Sequence, residues 1–341
     1  MVKVTAAWAM ALTILAGTAA LGQTKRPALP APPPKSLPAP APATTSPPPD
    51  ATNPVVAPEL AVQIMLDRIG YSPGEIDGKA GVNLRRAVET FQRTHGLPAT
   101  GRIDDATVQR LTERAGTAPA LVTYEIADAD VSGPFVADIP ADLEQQAKLP
   151  ALGYRSPLEA LAEKFHASPA LLKSLNPNAA FARAERIQVP NVAAADPLAS
   201  APGTRVAATI IVSKATSTLM VRDDKGQVLF QAPVTTGSRH DPLPLGTWKV
   251  TGVQQNPEFH YNPALFWDAD PKHSKAVIPA GPNNPVGVVW IALSKEHYGI
   301  HGTPEPSRIG HVTSHGCVRL TNWDAERVAT WARPGTTVIF Q

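Results

Sequence analysis

The sequence predicts a multidomain α+β protein, and three observations indicate it. Apolar residues recur at helical spacing over residues 59–115, two well-capped helices and a short strand follow within 116–205, and β-branched runs separated by turn residues fill 206–341. The chain has 341 residues, 43% of them hydrophobic, which is enough for two or three domains with their own cores. We expect a small three-helix module, an α/β segment and a mostly β domain, in that order.

The composition excludes several classes of protein. The formal net charge is only +2, which gives no electrostatic surface for nucleic acid. The single cysteine, Cys317, rules out an intramolecular disulfide and a thiolate-rich zinc site.

Residues 1–22 have the features of a secretory signal. Lys3 supplies a positive start, an apolar run covers residues 6–21, and the small residues Ala20 and Gly22 suit cleavage before Gln23. The run is short for a bilayer span of ~20 apolar residues, and an uncleaved membrane anchor is the alternative. We therefore expect the mature protein in the periplasm.

Residues 23–58 contain thirteen of the 37 prolines, separated mostly by Ala, Ser and Thr. Such a stretch lacks both the backbone donors and the bulky side chains of a core, so we expect a disordered, extended, polyproline-like linker. The alternative is a recognition segment for an SH3-like partner.

Residues 59–115 predict three helices. The first carries Leu60, Ile64, Met65 and Ile69 on one face, Asn83 is an N-cap candidate for the second, and the third follows Asp104, with Val108 and Leu111 inward. The module resembles the peptidoglycan-binding domain in the order of its short motifs: Gly70-Tyr71, Ile76-Asp77-Gly78, Ala87-Val88, Phe91-Gln92, Gly96-Leu97, Thr100-Gly101 and Asp105-Ala106-Thr107. The resemblance implies binding to glycan or stem peptide without catalysis; a module retained as a spacer is the alternative.

Residues 116–205 are a linker followed by a LysM-like segment. Ser156-Pro157 and Ser168-Pro169 are helix starts, Asn176-Pro177 ends the second helix, and residues 187–190 suit a strand. This order is similar to a degenerate LysM domain, a wall-glycan binder. The usual Gly-Asp-Thr before the first helix is absent, which leaves sugar binding open, and residues 124–149 are expected to link the modules.

Residues 206–341 predict a mostly β domain with one helix. The helix follows Thr321, which forms a capping box with Asp324. The strand candidates are residues 206–212, 218–221, 228–234, 247–253, 286–293 and 336–340.

The single cysteine, Cys317, is the candidate for a reactive residue. Cys317 follows Ser314-His315-Gly316 and lies sixteen residues after His301. A neighbouring imidazole makes a cysteine a strong nucleophile by favouring its thiolate, and the spacing does not decide between His301 and His315. An inert buried cysteine is one alternative. A zinc site formed by His301, His311, His315 and Cys317 is another.

The motif resembles the signature of the YkuD-type L,D-transpeptidases (ErfK/YbiS-like). The matching stretches are His301-Gly302, Ser314-His315-Gly316-Cys317-Val318-Arg319-Leu320, Pro282-Asn283-Asn284-Pro285-Val286-Gly287 and Pro244-Leu245-Gly246. The resemblance covers residues 206–341 and implies a β-sandwich-like catalytic domain.

The resemblance also implies roles for individual residues. Cys317 is the nucleophile, His301 the general base, and the Gly302 carbonyl orients the His301 ring. The amides of Gly316 and Cys317 form the oxyanion hole. His315 supports the site geometry. Ser314 and Arg319 contact substrate, with an Arg319–Asp324 ion pair as the alternative for Arg319. No metal and no cofactor is expected.

The implied reaction is acyl transfer on peptidoglycan stem peptides through a Cys317 thioester. The acceptor is left open: a diaminopimelate amine gives a 3→3 cross-link, a lipoprotein lysine gives anchoring, and water makes the enzyme an L,D-carboxypeptidase. Carbapenem-type inhibitors are expected to acylate the thiol. The competing hypotheses are a catalytically inactive peptidoglycan-binding protein and a zinc hydrolase.

Overall fold

The computed structural model describes residues 56–192 and 209–341. The signal at residues 1–22 and nearly all of the proline-rich linker at 23–58 lie outside the described residues, so both remain predictions. Among the helices of the described ranges, none combines the length and apolar character that a membrane span requires.

The N-terminal part of the described chain consists of three helices, α1 Pro58–Arg68, α2 Val82–Thr94 and α3 Asp105–Ala115. Asp104 caps α3 by accepting a hydrogen bond from Thr107 N. Two local expectations are wrong. The N-cap of α2 is Gly81, and the Asn83 side chain instead donates to Ile309 O at 2.8 Å. Val108 is exposed, since the buried face of α3 carries Thr107, Leu111 and Ala115.

Helix α1 is buried on two faces, which explains why its apolar residues do not form a single stripe. Val62 and Leu66 pack in a core with α2 and α3. Leu60 and Ile64 pack instead in a core with the middle segment. The three-helix module and the middle segment are therefore joined through the same helix.

The middle segment has four helices between two strands. Its elements are β1 Leu121–Glu125, α4 Asp128–Val131, α5 Leu143–Gln146, α6 Pro157–Lys164, α7 Pro169–Leu175 and β2 Arg186–Pro190. Ser156 and Ser168 cap α6 and α7 as expected. Strand β1 pairs antiparallel with β2, so Tyr124 belongs to this module and the link is shorter than predicted.

The C-terminal part is mostly β, as the sequence predicts. Its elements are β3 Thr209–Ser213, β4 Thr218–Arg222, β5 Val228–Pro233, β6 Gly246–Gln255, β7 Phe259–Tyr261, β8 Ala276–Ile278, β9 Val289–Leu293, β10 Gly299–His301, β11 Val318–Arg319, α8 Asn322–Ala329 and β12 Thr337–Phe340. Eight strands form one sheet in the order β11-β10-β9-β6-β12-β3-β4-β5, while β7 and β8 form a separate hairpin. The sequence did not indicate this hairpin.

One core fills the C-terminal domain. Val212 and Leu219 from one half of the sheet, Ile291 and Ile300 from the other half, and Val328 from α8 all belong to the same buried cluster. The sheet therefore curls around its core, so that its two halves face each other in a sandwich-like manner.

Candidate active site

Cys317 and His301 lie on the two neighbouring strands at the edge of the curled sheet. Strands β10 and β11 are parallel, with His301 opposite Arg319, and Cys317 immediately precedes β11. Because side chains two residues apart in a strand share a face, Cys317 and Arg319 project to the same side. His301, Arg319 and Cys317 line one cavity of about 970 Å³.

The thiol of Cys317 is a neutral donor in this geometry. Its Sγ donates to His297 O at 3.7 Å, and within the described residues it makes no hydrogen bond to an imidazole. Burial raises the pKa of Cys317, while the Gly299 amide and the charge of Arg319 oppose the rise. The raised pKa favours the thiol form of Cys317 over the thiolate.

The imidazole of His301 is buried and held on one side by the backbone. Its Nδ1 lies 2.7 Å from Gly302 O, and Trp290 stacks on the ring with centroids 5.4 Å apart. Burial and the charge of Arg319 lower the pKa of His301 to about 3. Hydrogen bonds with the backbone of Gly302 and Val286 oppose this lowering. An imidazole that donates from Nδ1 to a carbonyl has Nε2 as the nitrogen that accepts a proton.

The turn before Cys317 presents backbone donors. Gly316 has a φ of 103°, and a Cβ there would lie 2.7 Å from the Tyr298 ring. Within the described residues, neither the Gly316 amide nor the Cys317 amide donates a backbone hydrogen bond. Both N–H groups are thus available to an oxygen that approaches the thiol.

Ser314 and His315 shape this turn from opposite sides. The Ser314 hydroxyl is buried and donates to Cys317 O at 2.6 Å, so it fixes the turn, and Ser314 is not among the residues that line the cavity. A substrate contact of Ser314 stays a prediction. His315 Nε2 lies 2.7 Å from Asp268 Oδ1, in the connection between β7 and β8. His315 therefore fastens that connection over the cavity, a contact that no sequence signal indicated.

Arg319 lies in the cavity wall with its guanidinium largely uncommitted. Its Nε is buried and has no hydrogen-bond partner among the described residues. The Asp324 carboxyl accepts instead from Ser72 Oγ at 2.9 Å, so the alternative Arg319–Asp324 ion pair is not formed. Burial lowers the pKa of Arg319, and the nearby Cys317 opposes this shift.

The cavity is completed by residues that the sequence analysis missed. Asp142 and Leu143 of the middle segment line it together with Tyr261 and Phe266 of the hairpin region. His273 ties the two parts together, since its Nε2 lies 3.0 Å from Asp142 Oδ2 and its Nδ1 lies 3.1 Å from Tyr261 Oη. The middle segment thus contributes a wall of the site.

The described residues do not form the zinc site that the sequence left as an alternative. In the ranges 56–192 and 209–341, no group of three or more His, Cys, Asp and Glu side chains is placed to hold a metal ion. The set of His301, His311, His315 and Cys317 is therefore not assembled.

A second cavity, of about 470 Å³, lies in the middle segment. It is lined by the start of α6, including Ser156 and Leu158, and by the stretch that ends α7, including Asn176 and Phe181.

Two families match the chain. The L,D-transpeptidase catalytic domain, YkuD, matches residues 207–340, and a peptidoglycan binding domain, PG_binding_1, matches residues 60–111. The first match contains Cys317, His301 and all eight strands of the curled sheet. The second contains most of α1, all of α2 and most of α3.

Curated relatives share these names over short stretches. A protein of Bacillus licheniformis named as the L,D-transpeptidase YkuD is 49% identical over 57 residues, which is 17% of this chain and 34% of that protein. The L,D-transpeptidase YqjB of Bacillus subtilis is 29% identical over 136 residues, 38% of this chain and 69% of the relative. The chain spans about a third of the length of the first curated relatives that it matches.

Solved L,D-transpeptidases match with low overall similarity. The structure of LdtMt1 in complex with imipenem is 17% identical, covers 40% of this chain and 59% of that chain, and has a TM-score of 0.32.

Proposed function

From a chain that carries a YkuD-type L,D-transpeptidase catalytic domain and a peptidoglycan-binding domain, we propose a cysteine-dependent L,D-transpeptidase that acts on peptidoglycan stem peptides. One observation supports it above the others. Cys317 and His301 line one cavity, His301 on strand β10 and Cys317 immediately before the neighbouring β11, and the Gly316 and Cys317 amides in the turn before β11 donate no backbone hydrogen bond among the described residues. This is the set of groups that acyl transfer requires: a nucleophile, a base and an oxyanion site.

The first step forms a thioester. Cys317 Sγ attacks the carbonyl carbon of the third stem residue while its proton passes to His301 Nε2, and the carbonyl oxygen becomes an oxyanion at the Gly316 and Cys317 amides. The tetrahedral intermediate then collapses, the C–N bond breaks, and the proton on His301 goes to the departing amine of the terminal D-residue.

The second step regenerates the thiol. An acceptor amine loses a proton to His301 and attacks the thioester, the C–S bond breaks, and that proton returns to Cys317. A diaminopimelate amine as acceptor gives a 3→3 cross-link, and a lipoprotein lysine would give anchoring. Water in the same place gives carboxypeptidase activity through the same thioester.

The electrostatics of the pair suit a proton transfer that accompanies attack. The raised pKa of Cys317 and the lowered pKa of His301 keep both groups neutral before substrate binds. The thiolate–imidazolium pair then forms only as the carbonyl oxygen develops its own negative charge at the oxyanion amides. The neutral resting state also slows oxidation of the thiol, because the thiolate is the species that oxidants attack.

Arg319 is proposed to bind a substrate carboxylate. A guanidinium forms paired hydrogen bonds with a carboxylate. The buried Nε of Arg319 has no hydrogen-bond partner among the described residues. The carboxylate of the leaving D-residue or of the diaminopimelate centre would satisfy it.

The N-terminal module is proposed to hold the enzyme on the wall. Peptidoglycan is then the partner of both the binding module and the active site, and the second cavity in the LysM-like segment is a candidate for glycan. With a cleaved signal at residues 1–22, this work would take place in the periplasm.

The test is incubation of the full chain with purified disaccharide tetrapeptides, followed by chromatography and mass spectrometry of the products. Wild type is expected to form 3→3 dimers or tripeptides, whereas Cys317→Ala and His301→Gln form neither. His311→Gln is the matched control, since His311 is exposed and does not line the cavity. Products formed by Cys317→Ala would contradict the proposal.

A further inference from the structure

The peptide unit between Gly302 and Thr303 is held at both ends. Its carbonyl oxygen lies 2.7 Å from His301 Nδ1, and its N–H donates to Asn322 Oδ1 at 3.1 Å. Because a peptide unit is planar and conjugated, fixing its N–H fixes the direction of its carbonyl. Asn322 thereby sets the position of the acceptor that orients the His301 ring.

Asn322 is itself fully engaged. Its Oδ1 also accepts from Val288 N at 3.3 Å, while its Nδ2 donates to Glu163 Oε1 at 2.9 Å and to Pro282 O at 3.1 Å. With two N–H donors on one side and two oxygen acceptors on the other, only one orientation of the amide satisfies its partners. The side chain is buried, so water does not replace these bonds.

Two glycines make room for this amide. A Cβ at Gly302 or at Gly287 would lie 2.1 Å from Asn322 Oδ1. Gly287 also has a φ of 65°, which favours glycine. The glycine that follows His301 in the motif is therefore required by the approach of Asn322.

Glu163, the partner of Asn322, comes from helix α6 of the middle segment and lies 159 positions away in the sequence. Its Oε1 also accepts from Tyr154 Oη at 3.2 Å. The charged groups that face it are Glu159 of its own helix and Glu326 of α8. Burial raises the pKa of Glu163 to about 7, the two glutamates add to the rise, and the hydrogen bonds from Asn322 and Tyr154 oppose it.

We infer that Glu163 and Asn322 are positioning residues for His301, so that the middle segment, outside the catalytic domain, controls the orientation and proton affinity of the catalytic base. The inference rests on the proposed role of His301 as the base. A negative charge on Glu163 strengthens the Asn322 donor, which makes Oδ1 and then Gly302 O more negative. This series of hydrogen bonds favours the His301 imidazolium that forms when Cys317 attacks.

The direction of the pH effect follows from this series of hydrogen bonds. Acylation is faster when Glu163 is ionised, so the rate rises as the pH passes about 7, the pKa of this carboxyl. Glu163→Gln keeps the shape and an acceptor oxygen but carries no charge. It should therefore lack this rise and react more slowly above pH 7.

The experiment measures the second-order rate constant for acylation of the full chain by imipenem between pH 5.5 and 8.5. Glu163→Gln is expected to lower the constant by roughly 2- to 30-fold above pH 7, the range for residues within coupled networks. Glu159→Gln is the matched control. It lies on the same helix and contacts Asn283 of the adjacent loop, but it has no hydrogen bond to Asn322, so it should keep the wild-type rate above pH 7. Because the charge of Glu159 raises the pKa of Glu163, the rise in rate should move to lower pH in this variant and should not be lost.

A second variant tests the same series of hydrogen bonds by raising the pKa of Glu163. Tyr154→Phe removes a hydrogen bond that lowers the pKa of Glu163, so the rise in rate should move to higher pH. ¹⁵N-histidine NMR adds a readout that does not need turnover, because the Nδ1–H signal of His301 should shift in Glu163→Gln and not in Glu159→Gln.

The possible outcomes distinguish a failure of this inference from a failure of the proposed function. If Glu163→Gln and Tyr154→Phe both keep the wild-type rate, pH profile and His301 signal, the inference is overturned while the proposed function stands. If wild type itself is not acylated at Cys317, the proposed function fails, and the His301 signal alone decides whether the positioning contact exists.

Discussion

Asp324 carries a pH dependence that can be worked out from the structure. It lies on α8, is fully buried, and accepts from Ser72 Oγ of the N-terminal module at 2.9 Å. Its Oδ1 has no hydrogen-bond partner among the described residues. Burial raises the pKa of Asp324 from 3.8 to about 7, although Arg327 opposes the rise.

The raised pKa makes folding weaker as the pH increases. Between about pH 4 and pH 7 the folded chain keeps a proton on Asp324 that the unfolded chain has released, so the free energy of unfolding falls with rising pH. One pKa unit corresponds to about 1.4 kcal/mol, so a rise of about three units costs about 4 kcal/mol by neutral pH. Asp324→Asn cannot titrate and should not show this loss.

The assay is urea unfolding at four pH values from 4.5 to 7.5, followed by circular dichroism. Wild type should lose about 1.4 kcal/mol more per pH unit than Asp324→Asn. Asp224→Asn, at an exposed position in the β4–β5 turn, should keep the wild-type slope. Other buried carboxyls add slopes of their own, but these remain in the variant and cancel in the difference. Equal slopes for wild type and Asp324→Asn would refute the reasoning.

Three further predictions concern the module junction and the site. Arg327→Met removes hydrogen bonds of 3.0 and 3.2 Å to the buried Asp67 and should lower the free energy of unfolding by about 3–5 kcal/mol in urea titrations; a loss under about 1 kcal/mol would contradict it. Gly316→Ala places a Cβ against Tyr298 at a positive φ, a strain of about 1–3 kcal/mol, so acylation by imipenem should slow about tenfold or more. Arg319→Gln should raise KM for a tetrapeptide roughly 10- to 100-fold with little change in kcat, and the same KM in both enzymes would exclude a carboxylate contact.

Local chemistry predicted the features that depend on neighbours in sequence. The caps at Asp104, Ser156, Ser168 and Thr321 are where their side chains indicated, because each accepts from an amide three residues ahead. Six of the eight strands of the curled sheet were predicted for the same reason, since alternation and turn residues are local signals, whereas the short β10 and β11 were not among the strand candidates. The turn around Cys317 was predicted by its motif.

The features that depend on distant pairings were not predicted. The His315–Asp268 contact joins residues 47 positions apart, and the β7–β8 hairpin that supplies Asp268 has only three residues in each strand. The two-faced burial of α1 made the assignment of its apolar stripe wrong, since Leu60 and Ile64 pack in one core whereas Met65 and Ile69 pack against another. Sequence periodicity within one helix does not reveal which neighbouring module covers each face.

The link between Glu163 and Asn322 shows the same limit at the site itself. Asn322 was visible only as the first residue after a cap, and Glu163 only as a polar residue of a helix in another module. Their hydrogen bond depends on how the middle segment docks on the catalytic domain, for which neither residue carries a local signal. The motif therefore indicated the proposed nucleophile and the proposed base but not the contacts that hold the proposed base.

The most direct test of the central claim is the intact mass of the full chain after exposure to imipenem, with peptide mapping of the modified residue. The account predicts one added imipenem per chain, carried by Cys317 as a thioester and absent from Cys317→Ala. An unmodified wild-type chain, or an adduct that persists in Cys317→Ala, would contradict it.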